Sequence, residues 1–217
     1  MSDNRLDSSA GAAASGPSHL LVFARVPALG RVKSRLAAGV GEAAALAIYQ
    51  ELLGITRAAL LDAEVPATVW LADTAGAEPS ATEAQEWAGL RTRCQPAGDL
   101  GERMAAAFAT AFAEGAGRVA IIGTDCPGLR GHHLTRALAL LAEHEVVLGP
   151  ATDGGYYLLA LSRPQPALFQ HKAWSTDSVL ADTVADARRL GLRVALLPEL
   201  RDVDTAADLE AWRTAAQ

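Results

Sequence analysis

The sequence is poor in cysteine and in basic charge, and each shortage excludes a class of protein. Two cysteines in 217 residues, Cys94 and Cys126, fit no CxxC or Cys/His spacing, so neither a zinc site nor a disulfide framework is expected. A reducing cytoplasm is the compartment this usage implies. The net charge of −6 argues against a general nucleic-acid surface, which needs a basic excess or stripe. No continuous apolar run reaches the roughly 18 residues of a membrane span, so no membrane association is expected.

Half of the residues are hydrophobic and 20% are charged, a globular composition long enough for one sizeable core and too short for two ordinary enzyme domains. Residues 1–18, MSDNRLDSSAGAAASGPS, are small and polar without an apolar h-region. They read as a disordered leader before a single domain over 19–217.

The chemistry centres on Val119 to Pro127, VAIIGTDCP, a short apolar run that stops at a polar loop. This reads as a strand buried on both faces that delivers Asp125 to its carboxyl end, where open α/β sheets bind ligands. Capping of the following helix is the competing role for Asp125.

Upstream, His19–Ala24 is expected to form the first strand, running into RVPALGRVKSR, with Arg25, Pro27, Gly30, Arg31, Lys33 and Arg35. Strand, glycine-containing basic loop and helix is the layout of a phosphate site, although a solvated basic loop has the same composition. The loop is neither a Walker loop nor a GxGxxG fingerprint. Lys33 and Arg35 sit where the helix starts and are the stronger phosphate candidates.

A helix is expected over 41–61, with Leu46, Tyr49, Leu52, Leu53, Thr56 and Leu60 on its core face, to which no chemistry is assigned. Strands follow at 67–72 and 90–94, separated by a poorly patterned loop with a short helix near 83–87. QPAGDLGERM then opens a helix to about Glu114, with Asp99 as N-cap and Glu102 as its capping-box partner. The helix expected over 130–143 carries His132 and His133, read as surface residues because neighbours on a helix cannot chelate one ion.

Residues 145–161, EVVLGPATDGGYYLLAL, read as two strands about a turn at 151–155. Asp153 with Gly154 and Gly155 is either turn chemistry alone or a place where a ligand approaches the backbone. AWST precedes a helix over 177–190, with Ser175 or Thr176 as its expected cap and Trp174 as core or pocket wall. After a strand at 192–197, RDVDTAAD begins the last helix, with Thr205 and Asp208 as a near capping box. Within DVDT, Asp202 is expected to point away from Asp204.

In this order and spacing, FARVPALGRVKSRL, QPAGDLGERM, GTDCPGL, GPATDGGYYLLAL, AWST and DVDTAADL resemble an uncharacterised bacterial family. That family comprises GT-A-fold transferases related to 2-phospholactate guanylyltransferase and is commonly labelled glycosyltransferase. The resemblance spans about residues 19–210 and implies a three-layer nucleotide-diphospho-sugar transferase fold of α/β class with a mostly parallel central sheet. It matches Lys33 and Arg35 to phosphate-contacting residues, with Asp125 beside them as catalytic, and Asp125 and Asp204 to the ligands of Mg²⁺ or Mn²⁺. Arg25, Pro27, Gly30, Gln95, Asp99 and Thr124 are the further nucleotide-side candidates, and Asp153, Gly154, Gly155 and Trp174 the substrate-side ones. Arg25 and Ser34 depart from the family's usual Lys and Thr, which alters the geometry of any phosphate contact at residue 25.

The expected activity is Mg²⁺-dependent transfer from a nucleoside triphosphate or nucleotide-sugar, with nucleotidyl transfer to a small phosphorylated or acidic acceptor preferred. Glycosyl transfer from a nucleotide-sugar is the alternative, and a noncatalytic nucleotide-binding regulator is a third. The base, the acceptor and the oligomeric state are not legible in the residues.

Overall fold

The computed structural model describes residues 16–74 and 77–215. The expected leader lies outside the described residues as far as 15. Pro17, at its end, accepts a backbone hydrogen bond from Gly117 (2.9 Å).

Among the described residues, seven strands form one sheet in the order β3-β2-β1-β4-β6-β5-β7. They are β1 (Ser18–Arg25), β2 (Ala67–Ala72), β3 (Arg91–Cys94), β4 (Arg118–Ile122), β5 (Val146–Pro150), β6 (Tyr156–Leu161) and β7 (Val194–Leu196). All run parallel except β6, which pairs antiparallel with both β4 and β5. The helices are α1 (Ser34–Val40), α2 (Glu42–Ala63), α3 (Leu100–Ala113), α4 (Gly131–Leu140), α5 (Val179–Arg189) and α6 (Ala206–Ala215). This is the expected α/β fold.

Strand periodicity splits the core. Leu20, Val22 and Ala24 of β1 join Ala120 and Ile122 of β4 in one buried cluster, packed against α2 and α4. Leu21 joins Val119 and Ile121 in a second cluster on the other face, packed with α3 and the 3-10 turn Pro166–Phe169. Alternate side chains thus face opposite layers, as the pleat requires. α2 is long and apolar enough to cross a membrane by composition, yet Tyr49, Leu52, Leu53, Ala59 and Leu60 are buried in this fold.

Several local expectations change. The helix after β4 starts at Gly131 with Arg130 at its N-cap, so Asp125 caps nothing and remains in the loop. His133 is buried rather than superficial: its Nδ1 accepts from the Arg130 backbone N–H (3.1 Å) and its ring meets Tyr157 edge-on. Position N3 can reach back to the helix entry, a local use that periodicity alone does not show. Neither Ser175 nor Thr176 caps α5, which begins at Val179 after Ser178. The Thr176 hydroxyl donates instead to the Ala173 carbonyl, closing the AWST turn on itself.

Candidate functional site

The winding of the sheet reverses between β1 and β4, and a cleft opens beyond their carboxyl ends, where ligands bind in such sheets. A cavity of about 740 Å³ lies there. Its wall includes Arg25, Arg31, Lys33, Arg35, Gln95, Arg103, Thr124, Asp125, Asp153, Trp174, Asp202 and Asp204.

Lys33 is the centre of this wall. Its ammonium lies 2.5 Å from Asp125 Oδ1 and 2.7 Å from Asp204 Oδ1, so those two oxygens are at most 5.2 Å apart, the sum of the two distances. The lysine side chain is only 6% exposed. Burial alone would lower its pKa, but the two carboxylates outweigh burial and hold it above the ordinary lysine value. Its backbone is left-handed (φ 50°, ψ 47°) at the N-cap of α1, a conformation costing a side-chain-bearing residue about 1–3 kcal/mol. Arg35, two residues on and 73% exposed, sits 3.8 Å from Asp204 Oδ2.

The approach of Asp204 to Asp125 has a visible cause. Val203 is fully buried against Leu36, Ala45, Ile48 and Leu52, and its N–H donates to the Asp125 carbonyl (2.9 Å). A buried residue between two acids turns both toward the opposite side. Asp202 therefore also lines the cleft, and the expectation that it points away is corrected: in extended chain, residues two apart share a face. Its carboxyl is pushed up to about 6, first by burial and then by Asp153, Asp125 and Asp204, while the Cys126 thiol donates to it. Burial raises the Cys126 thiol, which is protonated at neutral pH and no nucleophile.

The other expected residues divide. Gln95 and Thr124 line the cavity, but both are structurally engaged. The Gln95 amide donates to the Trp70 carbonyl (3.1 Å) and to that of Ala24 (3.4 Å), stitching β2 to β1. Asp99 forms the full capping box with Glu102 and, like Pro27, Gly30 and Gly154, is not part of the cavity wall. Arg25, at the end of β1, pairs with Asp73 just past the end of β2 (3.3 Å). Asp153 and Gly155 line the cleft, the Asp153 carboxylate accepting from the Gly155 N–H (2.8 Å). Trp174 is both pocket wall and part of the second core cluster.

Sequence reasoning missed Tyr49, assigned there only to the core. Its hydroxyl accepts from the Arg25 N–H (2.8 Å), donates to the Arg25 carbonyl (3.2 Å) and also meets the Thr124 side chain. It joins the loop after β1 to the loop after β4. A tyrosine among leucines on a helix face was the available signal, since a buried hydroxyl needs partners.

The described residues hold no cluster of three or more His, Cys, Asp or Glu side chains suited to a metal ion. Magnesium does not need one: it is commonly held by one or two carboxylates, with phosphates and waters completing the shell. Asp125 and Asp204 already share one cation, the Lys33 ammonium, and fit that requirement.

The chain is similar over most of its length to a protein of Desulfovibrio desulfuricans G20, provisionally named a nucleotide-diphospho-sugar transferase. Identity is 31%, coverage 92% of this chain and 87% of that one, and the TM-score 0.85. The fold also matches CMP:2-keto-3-deoxy-manno-octonic acid synthetase complexed with CTP (13% identity, 92% and 98% coverage, TM-score 0.57). A further match is Rv0371C of Mycobacterium tuberculosis H37Rv in complex with manganese (18%, 90% and 97%, TM-score 0.56). No curated protein sequence matches the chain. Residues 56–176 match the model of the family described as "Uncharacterized protein conserved in bacteria (DUF2064)", and with that span and the 31% relative the chain belongs to this family.

Proposed function

We propose that the protein is a transferase that binds a nucleoside triphosphate with a divalent cation and moves the nucleotidyl group to a small acceptor. The observation that carries this reading is the Lys33–Asp125–Asp204 cluster at the carboxyl edge of β1 and β4, with Arg25, Arg31 and Arg35 beside it. The 31% relative, provisionally named a nucleotide-diphospho-sugar transferase, and a CTP-bound synthetase of the same fold support the class of substrate.

In this reaction an acceptor oxygen bonds to the α-phosphorus, the bond from that phosphorus to the bridging oxygen breaks, and pyrophosphate departs with the electron pair. Lys33 and Arg35 neutralise the departing charge, since phosphoryl chemistry is mostly positioning and electrostatic stabilisation. Asp125 and Asp204 would hold Mg²⁺ or Mn²⁺, which supplies Lewis-acid charge to the phosphates when bound. Lys33 then belongs to the phosphates, its strained backbone fixing where the ammonium points. Tyr49 keeps the two loops in register.

Glycosyl transfer from a nucleotide-sugar is the second reading, favoured by Asp153, a carboxylate in the same cavity beside aromatic rings. Incubation with each nucleoside triphosphate and each nucleotide-sugar plus Mg²⁺ separates them. Pyrophosphate release supports nucleotidyl transfer, nucleoside diphosphate release supports glycosyl transfer, and turnover of neither overturns both.

A further inference from the structure

Lysine is scarce in this chain: of its 19 lysines and arginines, only Lys33 and Lys172 are lysines. Both side chains are nearly sealed from solvent, 6% and 1% exposed, and both are held in ion pairs. Their charge balance is opposite. Lys172 meets Asp186 (2.6 Å), which Arg189 also meets (2.6 Å), so two cations share one acid. Lys33 meets Asp125 and Asp204, so two acids share one buried ammonium, with the exposed Arg35 at 3.8 Å from the second oxygen of Asp204. The Lys33 cluster therefore keeps an excess of negative charge, while its ammonium occupies Oδ1 of both acids.

The backbone of Lys33 is anchored on both sides. Val32 is buried in one core cluster and Leu36 in another, and the Lys33 carbonyl accepts from the Ala37 N–H (2.8 Å) at the start of α1. Only the four-carbon stem can move. It ends in a point charge with three rotatable donors, which leaves a carboxylate more readily than an arginine fork held by two parallel bonds. Lys33 and both of its partly exposed acids line the cavity, so phosphates entering it meet the ammonium and the carboxylates together.

We propose that Lys33 is a resident stand-in for the divalent cation: its ammonium holds Asp125 and Asp204 until nucleotide phosphates draw it away, and only then do the two acids take the metal. The inference rests on the nucleotidyl reading above, in which both acids hold that cation. A divalent ion on the same oxygens would press against the ammonium in a poorly solvated place, where like charges repel strongly. Mg²⁺ alone is therefore held weakly. Nucleotide and metal bind as a pair, each raising the affinity for the other by the same factor. One lysine thus serves the acids first and the phosphates afterwards.

The test begins with Mn²⁺ alone, its free concentration read by electron paramagnetic resonance. Lys33→Met should bind Mn²⁺ about tenfold tighter than the wild type, whereas Lys33→Arg, which keeps a cation on the acids, should bind it no tighter. Adding Asp204→Asn to Lys33→Met should remove the gain. Equal Mn²⁺ affinities of wild type and Lys33→Met overturn the proposal. A second measurement uses the wild type and does not depend on Lys33→Met folding well: with ¹³C at the lysine ε carbons, the two lysines give two signals. Mg²⁺ with a nucleoside triphosphate analogue nonhydrolysable between its α- and β-phosphates, its binding verified by calorimetry, should move the Lys33 signal and leave that of Lys172 in place. An unmoved Lys33 signal with the analogue bound makes the lysine a fixed counter-charge and overturns the proposal. Tighter Mn²⁺ binding by Lys33→Met with no triphosphate binding to either protein leaves Lys33 as the stand-in cation and counts against the nucleotidyl reading alone.

Discussion

The ammonium of Lys33 lies between the carboxylates of Asp125 and Asp204, 2.5 Å from one and 2.7 Å from the other, and ties two loops distant in sequence. Replacing it with methionine removes the charge that nucleotide phosphates would meet. Lys33→Met should weaken nucleoside triphosphate binding by roughly 1.5–3 kcal/mol, the value of a charge-assisted hydrogen bond. The same variant leaves the two acids unneutralised, so Mn²⁺ should raise its melting temperature more than it raises that of the wild type. Equal nucleotide affinities would remove the loop from the site.

Asp125 caps no helix, so its charge can be removed without disturbing α4. Asp125→Asn should abolish metal-dependent nucleotide binding while the circular dichroism spectrum and melting cooperativity are retained. Loss of the fold would make its role structural.

Asp99 offers the opposite expectation. Its carboxylate accepts from the Glu102 N–H (2.9 Å) and lies outside the cavity wall. Asp99→Ala should cost about 1 kcal/mol of stability, as loss of an N-cap does, with little change in nucleotide affinity. A large loss of affinity at unchanged stability would return Asp99 to the site.

Tyr49→Phe removes the hydroxyl that joins Arg25 to Thr124. The Arg25 N–H then loses its partner, at about 1–3 kcal/mol if it stays buried. We expect nucleotide affinity measured by calorimetry to fall beyond what the change in folding equilibrium explains. A purely thermal effect would confine Tyr49 to the core.

Glu145 receives both the Arg193 guanidinium (2.8 Å) and the Arg193 backbone N–H (2.8 Å), where β7 meets β5. The Arg193 side-chain bond, partly offset by burial, holds the Glu145 carboxyl at about 2, below its ordinary 4.5. Because the folded value is the lower one, the stabilisation is present above about pH 4.5 and is lost as pH falls toward 2. Glu145→Gln should flatten that part of a stability–pH profile measured by urea unfolding. An unchanged slope between pH 5 and 2 would show the pair contributes nothing, a frequent result for exposed pairs.

How much of this was legible in the sequence follows from the range of each interaction. Short apolar runs located β1, β2 and β4 to within a residue or two, because burial on both faces of a parallel strand leaves a dense local pattern. The Asp99–Glu102 and Thr205–Asp208 pairs were readable because both partners lie within four residues. The basic loop and Asp125 were readable as strand-end chemistry. The start of α5 was misread because Ser175 takes a left-handed backbone (φ 66°) and the AWST turn bonds to itself, which residue identity at a cap position does not reveal.

The sequence by itself determined the layered α/β fold, the strands that reach the cleft and the identity of the charged residues at their ends. Only the tertiary structure decided which of those charges meet. Val203 sinks into the cluster formed by α1, α2 and α6, and this long-range burial turns Asp202 and Asp204 into the cleft beside Asp125 and Lys33. A helix from one part of the chain supplies Tyr49 to hold the two loops, and two glycines admit Trp174 and the Asp153 turn at contact distance. Local pattern encodes which way a side chain faces within its own element, whereas the packing of elements far apart in sequence fixes what stands opposite it.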